Sequence, residues 1–131
     1  MPYAIDIQPA NHRVVVRGLG KPDIRETVEA MRRLAADPLH SPGFGVFADM
    51  RELDYVASFD DLIVMRDAFD ELKGSYTGPI AVVVPDLLRY GIARTISGLT
   101  GMIGIRIEAF RDPAQADAWL AAETSGPDGV P

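Results

Sequence analysis

The most constraining feature of this sequence is the alternation of short apolar runs with longer amphipathic segments. Residues 79–84 are apolar and mostly β-branched, as is typical of a central strand in a parallel sheet. Ile24, Val28, Met31 and Ala35 recur at helical spacing in an earlier segment. Because strands that alternate with helices favour right-handed crossovers, this pattern predicts a mostly parallel sheet covered by helices.

Turn and cap signals give approximate bounds to these elements. The predicted strands span residues 3–8, 12–17, 46–50, 79–84 and 105–110, the first two antiparallel across a tight turn at 9–11. The helices are predicted to begin at Pro22 or Asp23, Ser58, Pro85 and Asp112. The predicted fold class is α/β, in the order β-β-α-β-α-β-α-β-α, with a mostly parallel four- to five-stranded sheet and an antiparallel N-terminal edge strand. Residues 1–123 are expected to form one domain, and residues 124–131 a flexible C-terminal tail.

The composition argues against several classes of function. The chain of 131 residues has a net charge of −6, and its thirteen Lys and Arg form no run. Nucleic-acid binding and attraction to anionic membranes both need clustered cations. The sequence has no cysteine, which excludes disulfides, Fe–S clusters and thiolate nucleophiles. Since no signal peptide or membrane-spanning stretch is visible, we expect a cytoplasmic protein with no nucleic-acid or membrane partner.

No catalytic or metal-binding motif is complete in this sequence. The Gly-Leu-Gly-Lys segment at 18–21 stands between a strand and a helix, but Val15 and Pro22 occupy positions where a P-loop needs Gly and Ser or Thr. His12 and His40, the only histidines, lack the spacing of metal ligands and are expected on the surface. We therefore expect a protein that is not an enzyme and that needs no cofactor or metal.

Ser58 has two interpretations. With Asp61 three residues later it matches a capping box, in which its hydroxyl accepts a hydrogen bond from a free helix amide. Such a cap stabilises by about 1 kcal/mol and explains the serine by itself. The alternative is a phosphorylation site, because a helix N-terminus stabilises added negative charge. Asp60 and Asp61 in the same turn would repel that charge, so the cap is favoured.

The third helix is predicted to carry two different faces. An apolar stripe expected to face the sheet consists of Leu88, Ile92, Ile96, Leu99 and Ile103. The opposite side holds Gly91, Arg94, Gly98 and Gly101, flanked by Tyr90 and Ser97. Each interior glycine costs about 1 kcal/mol relative to alanine, so three on one face indicate close approach of a partner helix or a ligand. The alternative is a helix that ends near Ser97, with a glycine as its C-terminal cap.

The second helix contains one cation in an apolar position. Arg66 lies within the apolar sector of this helix, while Asp67 lies on its solvated face. The guanidinium is expected either to extend to solvent or to pair with a carboxylate at a strand end, for which Asp49 is the nearest candidate.

The element order and several of these segments resemble the STAS, or SpoIIAA-like, family of anti-sigma-factor-antagonist-type domains. The resemblance spans residues 3–123 and is most specific in the strands at 46–49 and 80–84. Residues 90–94 and 106–120 resemble an uncharacterised branch of that family. In the antagonists the serine that matches Ser58 is phosphorylated by a partner kinase, although here Ala57 replaces the aspartate that precedes it.

The resemblance implies a non-enzymatic domain that acts through protein–protein contacts, with a regulatory role as one form of this activity. We expect these contacts to include formation of a homodimer through Gly91, Arg94, Gly98 and Gly101. The alternative is a carrier of a small apolar ligand or lipid, because a related lipid-transfer fold also uses a β-α superhelix. Its site is expected between the second and third helices, near Tyr55, Arg66, Tyr90 and Arg94.

Overall fold

A five-stranded mixed sheet forms the centre of the molecule, as seen in a computed structural model that describes residues 2–124. The strands are β1 (Tyr3–Gln8), β2 (Arg13–Gly20), β3 (Gly45–Leu53), β4 (Ile80–Val83) and β5 (Ile107–Phe110), and they lie in chain order across the sheet. β1 is antiparallel to β2, and the other neighbouring strands are parallel. The predicted fold class and element order are confirmed.

Four α-helices cover the sheet, and they are distributed unequally over its two faces. They are α1 (Ile24–Ala36), α2 (Phe59–Leu72), α3 (Leu87–Gly101) and α4 (Pro113–Thr124). Because each parallel connection steps in the same direction across the sheet, right-handed crossovers place α1, α2 and α3 on one face. Within that layer α2 contacts both α1 and α3, while α4 packs on β3, β4 and β5 from the other side.

Alternation along the central strands divides their side chains between the two faces. On the α4 face Ala81, Val83, Ala116 and Leu120 are fully buried in one cluster, against which Phe47 packs. On the other face Val46 and Ile80 belong to a second cluster beneath the three-helix layer.

Both β2 and β3 are longer than the sequence predicts. β2 continues from Arg17 to Gly20, because after a register shift Leu19 and Gly20 still pair with the end of β3. At Gly18 an added β-carbon would lie 2.8 Å from Met50 Sδ, so the glycine allows β3 side chains to pack closely. The glycines at 18 and 20 therefore form part of a strand rather than an anion-binding loop.

The third helix differs from its predicted form in three respects. It continues to Gly101, so the alternative end near Ser97 is wrong. Leu88 does not face the sheet and is 61% exposed, because it lies in the first turn of α3, just beyond the carboxyl end of β4. Ile103 lies beyond the end of the helix.

The predicted tail at residues 124–131 lies almost wholly outside the described residues. Thr124 is the last residue of α4, and residues 125–131 of the predicted tail lie outside the described residues.

Candidate functional site

An apolar cavity of about 230 Å³ lies between the sheet and the layer formed by α1, α2 and α3. Its floor consists of alternate residues of the central strands, including Val16, Val46, Ala48, Ile80 and Val82. Its roof consists of helix residues, including Ala30, Met31, Leu34, Leu62, Met65, Phe69, Ile92, Ala93 and Ile96. Protein interiors rarely leave voids larger than a water molecule, so a space of this size is a candidate binding site.

Small side chains and fixed helices together keep this space open. Ala48 on the floor and Ala30 and Ala93 on the roof leave volume that larger side chains would fill. A hydrogen bond also fixes the segment after α2 against α1. The side chain of Tyr76 is buried, and its hydroxyl donates to the carbonyl of Met31 in α1.

The cavity is closed at one end and accessible at the other. Leu34, Tyr76 and Ile80, near the amino end of β4, are at most 5% exposed. Tyr55 and Arg89, near the carboxyl ends of β3 and β4, keep part of their surface accessible. The mouth therefore lies at the carboxyl edge of the parallel sheet, the edge at which α/β proteins commonly bind ligands.

The hydroxyl groups of the lining are already bonded within the protein. Tyr3 and Thr27 share a hydrogen bond of 2.7 Å, and burial raises the pKa of Tyr3. The Tyr55 hydroxyl donates to Asp61 Oδ2 at 2.8 Å, and the Tyr76 hydroxyl is bonded to a carbonyl in α1. These groups stabilise the walls and leave an essentially apolar interior.

Arg89 is the charged residue of the cavity lining. Its Nη1 donates to Asp86 Oδ2 at 2.6 Å, and its Nη2 lies 3.8 Å from Asp54 Oδ1. Hydrogen bonds from the Arg89 amide and then from its guanidinium lower the pKa of Asp86. Arg89 Nε is buried and has no hydrogen-bond partner among the described residues. An unsatisfied buried donor costs about 1–3 kcal/mol, which a ligand acceptor would recover.

The loop that follows β3 is held at the mouth by Asp61. This carboxylate accepts from the Ser58 amide at 3.1 Å and from the Tyr55 hydroxyl, and these bonds lower its pKa. In return, Ser58 Oγ accepts from the Asp61 amide at 3.1 Å, which completes the predicted capping box. Burial and the bond to Asp61 raise the pKa of Tyr55. Ser58 thus forms both hydrogen bonds of the capping box with Asp61. Its phosphorylation stays a prediction.

The structure separates the residues that were predicted to form a ligand site. Tyr55 lines the cavity, whereas Arg66, Tyr90 and Arg94 are not part of its lining. Arg66 pairs with its neighbour Asp67 at 2.9 Å.

The predicted pair between Arg66 and Asp49 is wrong. Asp49 instead pairs with Arg51 at 2.8 Å, and hydrogen bonds from Arg51 lower the pKa of Asp49. Asp49 follows Ala48 of the cavity floor in β3, so its side chain points to the opposite face of the sheet, away from α2 and Arg66.

One side of α3 is left uncovered by the other described residues. β-Carbons added at Gly91, Gly98 or Gly101 would meet no atom of residues 2–124 within 4 Å outside the backbone of the helix itself. Arg94 is exposed beside them, with its guanidinium 5.9 Å from the Tyr90 ring centre. We call this surface, comprising Gly91, Arg94, Gly98 and Gly101, the glycine face.

The two residues predicted to flank the glycine face are turned towards the protein. The Ser97 hydroxyl donates to the carbonyl of Ile107 in β5, and Tyr90 packs against a buried cluster that includes Ala93.

Neither histidine lies near the cavity mouth. His40 is partly buried rather than on the surface, because its Nε2 contacts the Ser75 carbonyl at 2.8 Å and its ring packs against Phe44 and Tyr76. His12 is exposed and stacks on Phe44. The described part of the chain contains no group of three or more His, Cys, Asp or Glu residues that could hold a metal ion.

Several apolar side chains are exposed at the same edge of the sheet as the mouth. Leu87 and Leu88 begin α3, while Val56 and Phe59 lie in and just after the loop that follows β3. β3 and β4 are neighbours, so these four residues lie around adjacent strand ends. No helix within residues 2–124 is long and apolar enough to cross a membrane.

Comparison with known proteins identifies the fold. No protein-family model matches this chain, and no curated protein matches it in sequence. Among solved structures, it is similar to an uncharacterised protein of the DUF3478 family with a SpoIIAA-like fold from Shewanella loihica PV-4. The two are 16% identical with a TM-score of 0.60, over 90% of this chain and 91% of the other. The protein is therefore an α/β domain with a SpoIIAA-like fold.

Proposed function

We propose that this domain acts by binding rather than by catalysis, and that it holds a small apolar molecule in the cavity. The observation that carries the proposal is the cavity itself, about 230 Å³ in volume and lined by apolar side chains with a mouth at the sheet's carboxyl edge. The SpoIIAA-like neighbour shows the fold alone, so the proposal depends on the geometry of the cavity.

The volume gives an approximate ligand size and affinity. A dry apolar cavity of about 150 Å³ takes benzene, with six carbons, so 230 Å³ corresponds to about nine. Burial of nine carbons contributes about 7 kcal/mol, from which the loss of free motion on binding subtracts at least ~4 kcal/mol. At most about 3 kcal/mol of net binding free energy remains, so we expect a Kd no tighter than roughly 5 × 10⁻³ M for a ligand that makes apolar contacts alone.

A filled cavity provides the test. Ala48 lies on the floor, so leucine at this position places its side chain where the ligand would lie. Titration of the wild type with 1-decanol, followed by amide chemical shifts, should perturb residues that line the cavity. Ala48→Leu should weaken binding at least about tenfold, while Ala114→Leu, at an exposed position on α4, should leave it unchanged. A wild type that shows no amide shifts as decanol is raised to its solubility limit would refute the proposal, because amide shifts report partial occupancy.

A second candidate function is protein–protein contact, which the glycine face favours. The three glycines leave the α3 backbone open to close approach by another chain, and nothing else among the described residues covers them. In this proposal the partner is a second copy of the protein. The protein would have a regulatory role in the cytoplasm and would bind neither nucleic acid nor membranes. Light scattering after size-exclusion chromatography tests this proposal directly, because a wild-type protein with the mass of a monomer would refute the dimer.

A further inference from the structure

We infer that the ligand is an amphiphile with a carboxylate head, bound by Arg89 at the cavity mouth with its chain inside. The inference rests on the proposed function, and it adds the chemical class of the ligand. It identifies Arg89 as the residue that would select among apolar molecules of similar size.

Among the polar groups of the lining, Arg89 differs from the tyrosines in having a donor without a hydrogen-bond partner among residues 2–124. Tyr3, Tyr55 and Tyr76 have hydroxyls already bonded to Thr27, Asp61 and the Met31 carbonyl. A ligand head would have to break those bonds to use them. Arg89 Nε is a buried donor on a lining residue, without a partner among residues 2–124. Because this atom is itself buried, a ligand acceptor would engage it through a change in the Arg89 side-chain conformation.

The arrangement around Arg89 favours a carboxylate over a neutral head. Nη1 donates to Asp86 and Nη2 lies 3.8 Å from Asp54, so Nε is the nitrogen of the guanidinium with neither contact. A hydrogen bond from a guanidinium to a carboxylate oxygen is charge-assisted and stronger than one to an alcohol. The two aspartates offset the positive charge, so recognition must come from this direct contact, and salt should alter it little.

The cavity also limits the length of the chain. Scaling from the ~150 Å³ that holds benzene, about nine carbons fit inside, with the head at the mouth. Decanoate matches this description, and 1-decanol is the same molecule with a neutral head.

The experiment compares these two probes at neutral pH, with decanoate below its micelle concentration and decanol below its solubility limit, on the wild type and three variants. Arg89→Met removes the guanidinium and keeps an apolar stem, and Arg89→Lys keeps the charge but loses Nε. Arg106→Met makes the same charge change at an exposed position just before β5, outside both the cavity lining and the glycine face. Thermal melting monitored by circular dichroism establishes that each variant is folded.

We expect the wild type to bind decanoate at least about tenfold more tightly than decanol. Both Arg89 variants should lose that preference while keeping decanol affinity within about twofold, and Arg106→Met should retain it. Equal affinity of the wild type for the two probes, or equal loss in Arg106→Met, overturns the carboxylate inference and leaves the proposed function standing. If neither probe binds, both fail.

Discussion

Replacing Ala48 with leucine should stabilise the protein, because the added atoms enter an existing space. Ala48 lies in the middle of β3 and lines the cavity floor. Leucine adds three carbons, and at about 0.8 kcal/mol for each buried carbon the gain is about 2.4 kcal/mol. Loss of rotamer freedom subtracts about 0.5–1 kcal/mol. The expected net stabilisation is about 1–2 kcal/mol.

Ala81 provides a matched control on the neighbouring strand. It is fully buried against Ala116 and Leu120 on the α4 face, and it does not line the cavity. The same three carbons would overpack a filled region there, and we expect destabilisation by about 1–3 kcal/mol. The two substitutions are chemically identical, so opposite signs would isolate the effect of the space.

Urea denaturation followed by circular dichroism measures both changes in the free energy of unfolding. In thermal melts Ala48→Leu should raise Tm by about 3–8 °C. Similar destabilisation by both substitutions would show that the space beside Ala48 is not there in solution, and the argument for a ligand cavity would fail with it.

Three further predictions concern a surface, a backbone contact and a titrating group. Gly98→Leu should convert a wild-type dimer to a monomer in light scattering while raising helix stability, because the position is open and glycine disfavours helix. A wild-type monomer would contradict the dimer. Gly78→Ala should destabilise by about 2 kcal/mol or more in urea titrations, since the β-carbon would lie 2.5 Å from two backbone carbonyl oxygens. Gly74→Ala, with open space around it, should change stability by less than about 1 kcal/mol. The Ser58 amide lowers the pKa of Asp61 below its ordinary 3.8, so this carboxylate stabilises the fold above that pH and less as the pH falls through its folded-state pKa. The stability deficit of Asp61→Asn should therefore shrink between about pH 7 and pH 2, and a constant deficit would contradict the assignment.

Local sequence signals determined most of the fold. The β-branched run at 80–84 and the helical spacing of Ile24, Val28 and Met31 are properties of neighbouring residues, and each predicted the correct element. The capping box of Ser58 and Asp61 was also predictable, because both partners lie within one helical turn. Strand order follows from short right-handed crossovers, so the mixed sheet could be predicted too.

The ends of elements were less predictable, because long-range pairing decides them. β2 continues past Arg17 because the end of β3 lies beside it, and no signal in the local sequence records that contact. Leu88 is apolar at helical spacing, yet it is exposed, since α3 begins beyond the sheet edge. Asp49 pairs with Arg51 rather than with Arg66 because side-chain direction, not helical phase alone, selects the partner.

The existence of the cavity could be recognised only from the tertiary structure. Ala48, Ala30 and Ala93 are ordinary small residues in a strand and two helices, and only their meeting across the helix–sheet interface leaves a space. Arg89 lies three residues after Asp86 and pairs with it, but its position at the mouth depends on where α3 crosses the sheet. Periodicity specifies which face of an element is buried. The volume enclosed between two such faces depends on side chains far apart in the chain, and for that reason the site emerged only from the fold.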